Sequence, residues 1–244
     1  MLLPVSPALG IVLAVLLVSA AAVAAWASLG RSREIAVAGV RAAAQLAAVS
    51  LLIGWVVRSP GPLTGFLLLM FVVAVRTAGR RITPNRTWWW AALPIPAGVV
   101  PVVVALLLTG LLPLRGIALI PVTGILTGGA LTATVLGGRR ALDELGSRRG
   151  EVEAGMALGL PDRDARLEIA RPAASDALLP GLDQARTVGL VTLPGAFVGM
   201  RLGGASPVEA GAVQLFVLVA LMAVQAVAVA LVLALIARGV LHRG

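Results

Sequence analysis

The chain has 244 residues, 59% of them hydrophobic and 13% charged, with a mean hydropathy of +1.00. A soluble domain carries about 25% charged residues, so an ordinary globular protein is excluded. The formal charge of +9 rests on 20 basic residues, every one Arg; beside apolar runs they mark cytoplasmic loops, and no nucleic-acid partner is expected.

Seven apolar runs are long enough to cross a ~30 Å hydrocarbon core as helix. The first, 7–27, has no basic residue before it and is read as a span rather than a cleavable signal. Next come 35–57, with RAAAQL at its centre, then 62–78, 88–109 and 116–137. The sixth, 186–202, is interrupted by Pro194-Gly195. The seventh, Pro207–Ala237, exceeds what one crossing needs and is expected to tilt or project into the cytoplasm. A transmembrane barrel is excluded because its strands alternate in polarity, and these Ala/Leu/Val runs do not.

Arg31, Arg33, Arg80, Arg81, Arg86, Arg139, Arg140, Arg238 and Arg243 fall on one side of such a topology, against Arg58, Arg115 and Arg201 on the other. The Arg-rich side is read as cytoplasmic, leaving the N-terminus outside and the C-terminus inside. Trp26, Trp55, Trp88, Trp89 and Trp90 fall at predicted span ends, where interfacial aromatics belong. The expected fold is all-α: a polytopic transmembrane helical bundle of about seven spans in the cytoplasmic membrane. One transmembrane domain over 1–244, surrounded by lipid, is expected.

The one long hydrophilic stretch, 138–184, holds nine of the 11 acidic residues together with seven Arg. Ala141, Leu142 and Leu145 fall at helical spacing there, so short cytoplasmic helices are expected. Inside this stretch lies EAGMALGLPDRDARLEIARPA, which begins at Glu153. Glu153, Ala154, Gly155, Gly159, Ile169 and Pro172 fit a loop of the form EAA, three residues, Gly, nine residues, I-x-L-P, with Gly155 for the third small residue and Arg171 for the Leu. ABC-transporter permeases carry such a loop. It reads as a short helix, a turn at Gly159 and a second helix bounded by Pro172, shaped to dock in a groove on a partner.

More of the chain resembles one family. TGGALTATVLGGRRALDEL (127–145) and GLVTLPGAFVGMRLGGASPVEA (189–210) are similar to the bacterial iron-export-type ABC permeases, a family that also contains plant aluminium-tolerance permeases; RAAAQL (41–46) resembles its second span. The resemblance implies a permease, here expected as a homodimer, that pairs with a separate ABC ATPase subunit and exports iron or serves metal balance. ATP and Mg belong on that partner. This chain is expected to bind no cofactor and to carry no catalytic residue, because a P-loop needs a Lys that the sequence lacks.

Polar groups at membrane depth are the candidates for a cargo path. They are Arg41 and Gln45, four residues apart on one helical face, with Arg76, Thr127 and Gln225. Pro194 joins them because its backbone break suits a cavity-lining or moving element. Snorkelling of the two Arg and interhelical bonding by the two Gln are the structural alternatives. No metal ligand set is visible: there is no Cys, His242 is terminal and no carboxylate lies deep in a span. A weakly held, chelated or anionic cargo therefore fits better than a tightly bound bare ion. The rival functions are a gradient-driven secondary transporter, which normally needs an intramembrane ionisable relay, and an ABC permease for a non-metal solute.

Overall fold

The computed structural model describes residues 6–243. It is helical throughout its regular elements and falls into two compact units, Met1–Ser59 and Pro60–Gly244.

The first unit is a helical hairpin of α1 (Pro7–Trp26) and α2 (Ser32–Val56). Ser6 caps α1 by accepting the amide of Leu9 at 3.3 Å, and Pro7 fills the first turn, where a missing N–H costs nothing. The chain turns through Ser28 and Gly30, both at positive φ. Gly39 lets α2 approach α1: a Cβ there would lie 2.5 Å from Leu17 Cδ1. Only Ala24 and Val56 are buried in the two helices, leaving long apolar faces suited to lipid or protein.

The second unit contains α3 (Pro60–Ile82), α4 (Pro94–Leu108), α5 (Gly116–Ser147), α6 (Arg149–Ala157), α7 (Asp162–Ser175), α8 (Leu179–Thr187), α9 (Gly195–Leu202) and α10 (Pro207–Ala237). A 3-10 turn, Arg86–Ala92, leads into α4. It is locked onto α3 at Gly79, where a Cβ would stand 2.1 Å from Trp88 O, while the Arg80 guanidinium lies 5.1 Å from the Trp88 ring centre.

The helix directions follow from which residues meet. Gly129 meets Leu221, Gly137 meets Val229 and Gly138 meets Val232, so α5 and α10 run parallel. Gly124 meets Met70 and Gly138 meets Ile82, so α3 is parallel to both. Gly98 of α4 approaches the backbone of Val224, while Val103 packs in the same cluster as Phe216; α4 therefore runs the opposite way. These close approaches are made by small residues, as membrane helices require when no hydrophobic drive pulls them together. Two parallel helices joined in sequence force the chain to return across the bundle between them.

That return is the point at which the sequence expectation needs correction. Among the described residues, six helices are long and apolar enough to span a membrane by length and composition: α1, α2, α3, Arg86–Leu108, α5 and α10. The expected span 186–202 is not a continuous helix. The chain instead climbs through α8, an irregular stretch 188–194 and α9, with Gly181 packed on Gln225 and Phe197 at the level of Gln214. At about 1.5 Å per residue, neither the nine-residue α8 nor the eight-residue α9 crosses alone. α8 ends where Val188 turns extended and Gly189 takes φ +84°, and helix resumes only after Pro194, which stands as the N-cap of α9.

A second difference concerns 138–147. Ala141, Leu142 and Leu145 do not start a separate short helix; α5 continues unbroken to Ser147. Its 32 residues extend about 48 Å, well beyond a hydrocarbon core. Pro207–Ala237 matches the last predicted run residue for residue and begins with a capping box, in which Ser206 and Glu209 satisfy each other's amides.

Candidate functional site

The stalk made by the end of α5 carries a helical hairpin. Arg148, at the junction, donates to Glu151 at 2.5 Å and to Glu144 at 3.1 Å, tying α6 to the last turn of α5. The Arg148 hydrogen bond holds the Glu151 carboxyl below the usual carboxylate range, against a smaller opposing effect of burial. Nine residues of isolated helix are marginal in water, so α6 depends on packing. Val152 of α6 meets Ala165 and Ile169 of α7 in a small core that Leu145 of α5 completes. Ala165, Ile169, Ala170 and Ala174 form the buried face of α7, and Ala170 and Ala174 pack in the cluster shared with α5 and α10.

The turn between α6 and α7 is built on Gly159, at φ +97°. The Gly159 amide donates to Met156 O at 2.9 Å and the Leu160 amide to Gly155 O at 3.1 Å, the paired bonds that close a helix on a left-handed residue. Gly155 lies against α7, where an added Cβ would meet Ala165 Cβ and Leu160 Cδ1 at 3.4 Å. Glu153 is exposed and paired with Arg149 at 3.1 Å; Ala154 is exposed beside it. Ile169 is buried inside the hairpin. Pro172, expected to bound a helix, instead lies within α7, exposed near its last turn. The sequence pattern therefore divides in space. Gly155 and Ile169 hold the hairpin together, while Gly159 shapes its tip. That tip is apolar and open: Leu158 is 88% exposed, flanked by Met156 and Leu160.

A groove of about 600 Å³ runs beside the hairpin, between α6 and the tail that follows α10. The tail is anchored there. His242 O accepts from Asn85 Nδ2 at 2.7 Å and Thr83 Oγ1 at 3.0 Å, and Arg243 pairs with Asp143. The C-terminal tail and the α6–α7 hairpin therefore lie at the same end of the second unit.

The transmembrane candidates separate into groups. Arg41 and Gln45 are exposed on α2, with Arg41 beside a shallow hollow formed with Ala36, Val37, Val40 and Ala44. Arg76 is exposed on α3. Gln225 is partly buried: an added Cβ at Gly181 would lie 2.1 Å from its Oε1, and one at Gly129 would lie 3.6 Å from its Nε2. It therefore wedges between α8 and α5. Thr127 is buried and its hydroxyl has no partner among the described residues, as is also true of Thr123 and of Gln214 Oε1. Leaving such a group unpaired costs about 1–3 kcal/mol. Thr134, by contrast, is satisfied by donating to Ala130 O at 2.7 Å. Pro194 caps α9 at the break, and with Gln214 it lines a pocket of about 210 Å³. A separate cavity of about 440 Å³ between α3, α4 and α5 ends on Thr123. Gln214 is the residue that sequence reasoning passed over. Its signal was the one that singled out Gln45 and Gln225: an amide inside an apolar run.

The family described as Uncharacterised protein family (UPF0014) matches residues 8–241. The chain belongs to the UPF0014 family. It is similar to UPF0014 membrane protein STAR2 of Oryza sativa subsp. japonica, at 34% identity over 197 residues, covering 80% of this chain and 69% of that protein. Protein ALUMINUM SENSITIVE 3 of Arabidopsis thaliana is 36% identical over 166 residues, covering 68% of this chain and 58% of its own length. Probable iron export permease protein FetB of Escherichia coli (strain K12) is 31% identical over 126 residues, 52% of this chain and 48% of that protein. No solved structure matches. The UPF0014 chain is thus a helical membrane protein with a named permease among its relatives.

Proposed function

We propose that this UPF0014 chain is the membrane-spanning subunit of an ABC exporter of iron or a related metal. In this reading it works in the cytoplasmic membrane as a homodimer, with the N-terminus outside and the C-terminus inside. The whole chain is one permease domain, and 138–184 is its cytoplasmic coupling segment. A separate ATPase supplies hydrolysis. The observation that carries the reading is the α6–α7 hairpin: a packed base, a Gly159 turn, and an apolar tip held beyond the end of a stalk. An exposed Leu on a rigid turn is the anchor that a groove on an ATPase would take. Likeness to a protein named an iron export permease supplies the cargo.

The test is Leu158→Asp. Burying a Leu side chain contributes about 1.5–3 kcal/mol, so its loss weakens association about 10- to 150-fold. Leu158 touches little within the chain, so the spans insert and fold as before. Co-purification of the ABC ATPase from membranes should fall with unchanged permease level. Full retention of ATPase by Leu158→Asp would remove the hairpin from the account. Gly159→Leu is the weaker probe, because a side chain at φ +97° strains the turn whether or not a partner docks.

A further inference from the structure

Charge is sorted along this chain: no acidic residue lies between Glu34 and Asp143. The last turns of α3 and the 3-10 turn after it carry Arg76, Arg80, Arg81 and Arg86. All four are exposed, and none pairs with a carboxylate among the described residues. Further along, Arg140, Arg148, Arg149, Arg163 and Arg166 each have a carboxylate partner. The neighbouring helix does not neutralise the cluster. Gly138 of α5 meets Ile82, and the next residue is another exposed, unpaired Arg, Arg139. Asp143, on the following turn of α5, is engaged by Arg243.

Helical spacing puts Arg76 and Arg80 on one face of α3, opposite the buried Ala74, Ala78 and Ile82. The same face carries Leu69, Val72 and Val73, all exposed, in the turns before. An aliphatic stripe therefore runs directly into guanidinium groups. Arg80 is steadied by donating to Pro84 O at 3.1 Å and by the Trp88 ring beneath it. Beside them Trp89 stacks on Trp90, ring centres 4.1 Å apart, and stays half-exposed, as a ring at headgroup level does. Stripe, cations and indole follow the order of acyl chain, phosphate and interface in a phospholipid. We infer that this end of α3 binds an anionic phospholipid, its phosphate held by Arg76 and Arg80 and its chain laid along Leu69, Val72 and Val73. The planar guanidinium fork matches phosphate oxygens, and Arg81 and Arg86 add to the field. Snorkelling alone requires only water, whereas here no carboxylate competes for the cations or is free to receive a choline. A net-anionic headgroup is therefore favoured over a zwitterionic one. The inference is independent of what the chain transports, and it gives Arg76 to lipid rather than to cargo.

The test reads the indoles at the site. In the full chain, Trp26→Phe and Trp55→Phe change two exposed positions and leave Trp88, Trp89 and Trp90 as the remaining indoles of a chain without Tyr. Reconstituted in phosphatidylcholine bilayers, this protein is titrated with brominated phosphatidylglycerol and, in parallel, with brominated phosphatidylcholine. Each Arg near an anionic surface adds about fivefold, so two on one phosphate predict quenching with about a 25-fold preference for phosphatidylglycerol. Arg76 makes no hydrogen bond to the rest of the chain, so Arg76→Gln folds; it should lower the preference about fivefold, and Arg76→Lys should restore most of it. Arg115→Gln, at the other end of the bundle, should leave it unchanged. A native preference below about twofold, or an equal loss in Arg115→Gln, overturns the inference. So does quenching by neither lipid, which would mean that protein covers this face. Displacement of the lipid by inorganic phosphate, where KCl of equal ionic strength has no effect, would mark a site for free anions and overturn it too.

Discussion

Gly181→Ala tests how the broken crossing is held. An alanine Cβ at this position would sit 2.1 Å from Gln225 Oε1 and 3.1 Å from its Cδ, far inside ordinary contact. Either the Gln225 carboxamide swings away or α8 moves off α10. Overpacking of this kind costs about 1–3 kcal/mol. For a chain of this size each kcal/mol moves Tm by about 2–4 °C, so the apparent Tm in detergent should fall by about 2–12 °C. Because the crowding is with one flexible side chain, Gln225→Ala should relieve it. The Gly181→Ala, Gln225→Ala double variant should then be more stable than the two single losses sum to, with a coupling of about 1 kcal/mol or more. Strict additivity would show that α8 does not seat on Gln225, and the path of the return crossing would need to be redrawn.

Gly79→Ala should be worse tolerated, since its Cβ would stand 2.1 Å from the backbone oxygen of Trp88, which no rotamer change can move; loss of folded protein by size-exclusion chromatography checks this, and normal yield would contradict the α3–turn contact. The Glu151–Arg148 pair should be insensitive to pH near neutrality. Its contribution is present above the ordinary carboxylate pKa of about 4.3 and is lost as pH falls through the depressed Glu151 value. Protection of the amides at the α5–α6 junction, taken relative to their intrinsic exchange rates at each pH, should therefore fall only on acidification, and a fall between pH 6 and 8 would contradict it. Single cysteines near Gly150 and at Arg243 in this cysteine-free chain should label from the same, cytoplasmic side, because Arg243 pairs with Asp143 on the stalk that carries the hairpin. Labelling from opposite sides would refute the topology.

Much of the bundle was legible because membrane spans announce themselves through run length. The last run was placed to the residue because Ser206, Pro207 and Glu209 spell a helix start. The limits of the 138–147 reading have a physical origin: polarity rises where α5 leaves the bilayer, but helical hydrogen bonding is indifferent to that boundary, so the helix runs on. The 186–202 run has enough apolar residues for a span, and hydropathy cannot see that the backbone leaves helix from Val188 through Pro194. The hairpin's order, helix, glycine turn and helix, was readable from Glu153 to Ile169. Which side chains face inward was not, so buried Ile169 and exposed Leu158 exchange the importance the pattern gives them. Gln214 carried the same sequence signal as Gln45 and Gln225, an amide in an apolar run, and what sets it apart is burial of its Oε1 without a partner among the described residues, a property of packing.

Reconstitution with the proposed ABC ATPase in sealed vesicles asks whether the chain moves metal only when coupled to ATP hydrolysis. The chain alone, the ATPase-bearing pair, and the pair carrying Leu158→Asp would be compared for Fe²⁺ movement with ATP or with an imposed proton gradient. Fe²⁺ should move only with both subunits and ATP, and at least about tenfold more slowly with Leu158→Asp. Transport by the chain alone on a proton gradient, indifferent to ATP and to Leu158, would contradict it and favour a secondary transporter.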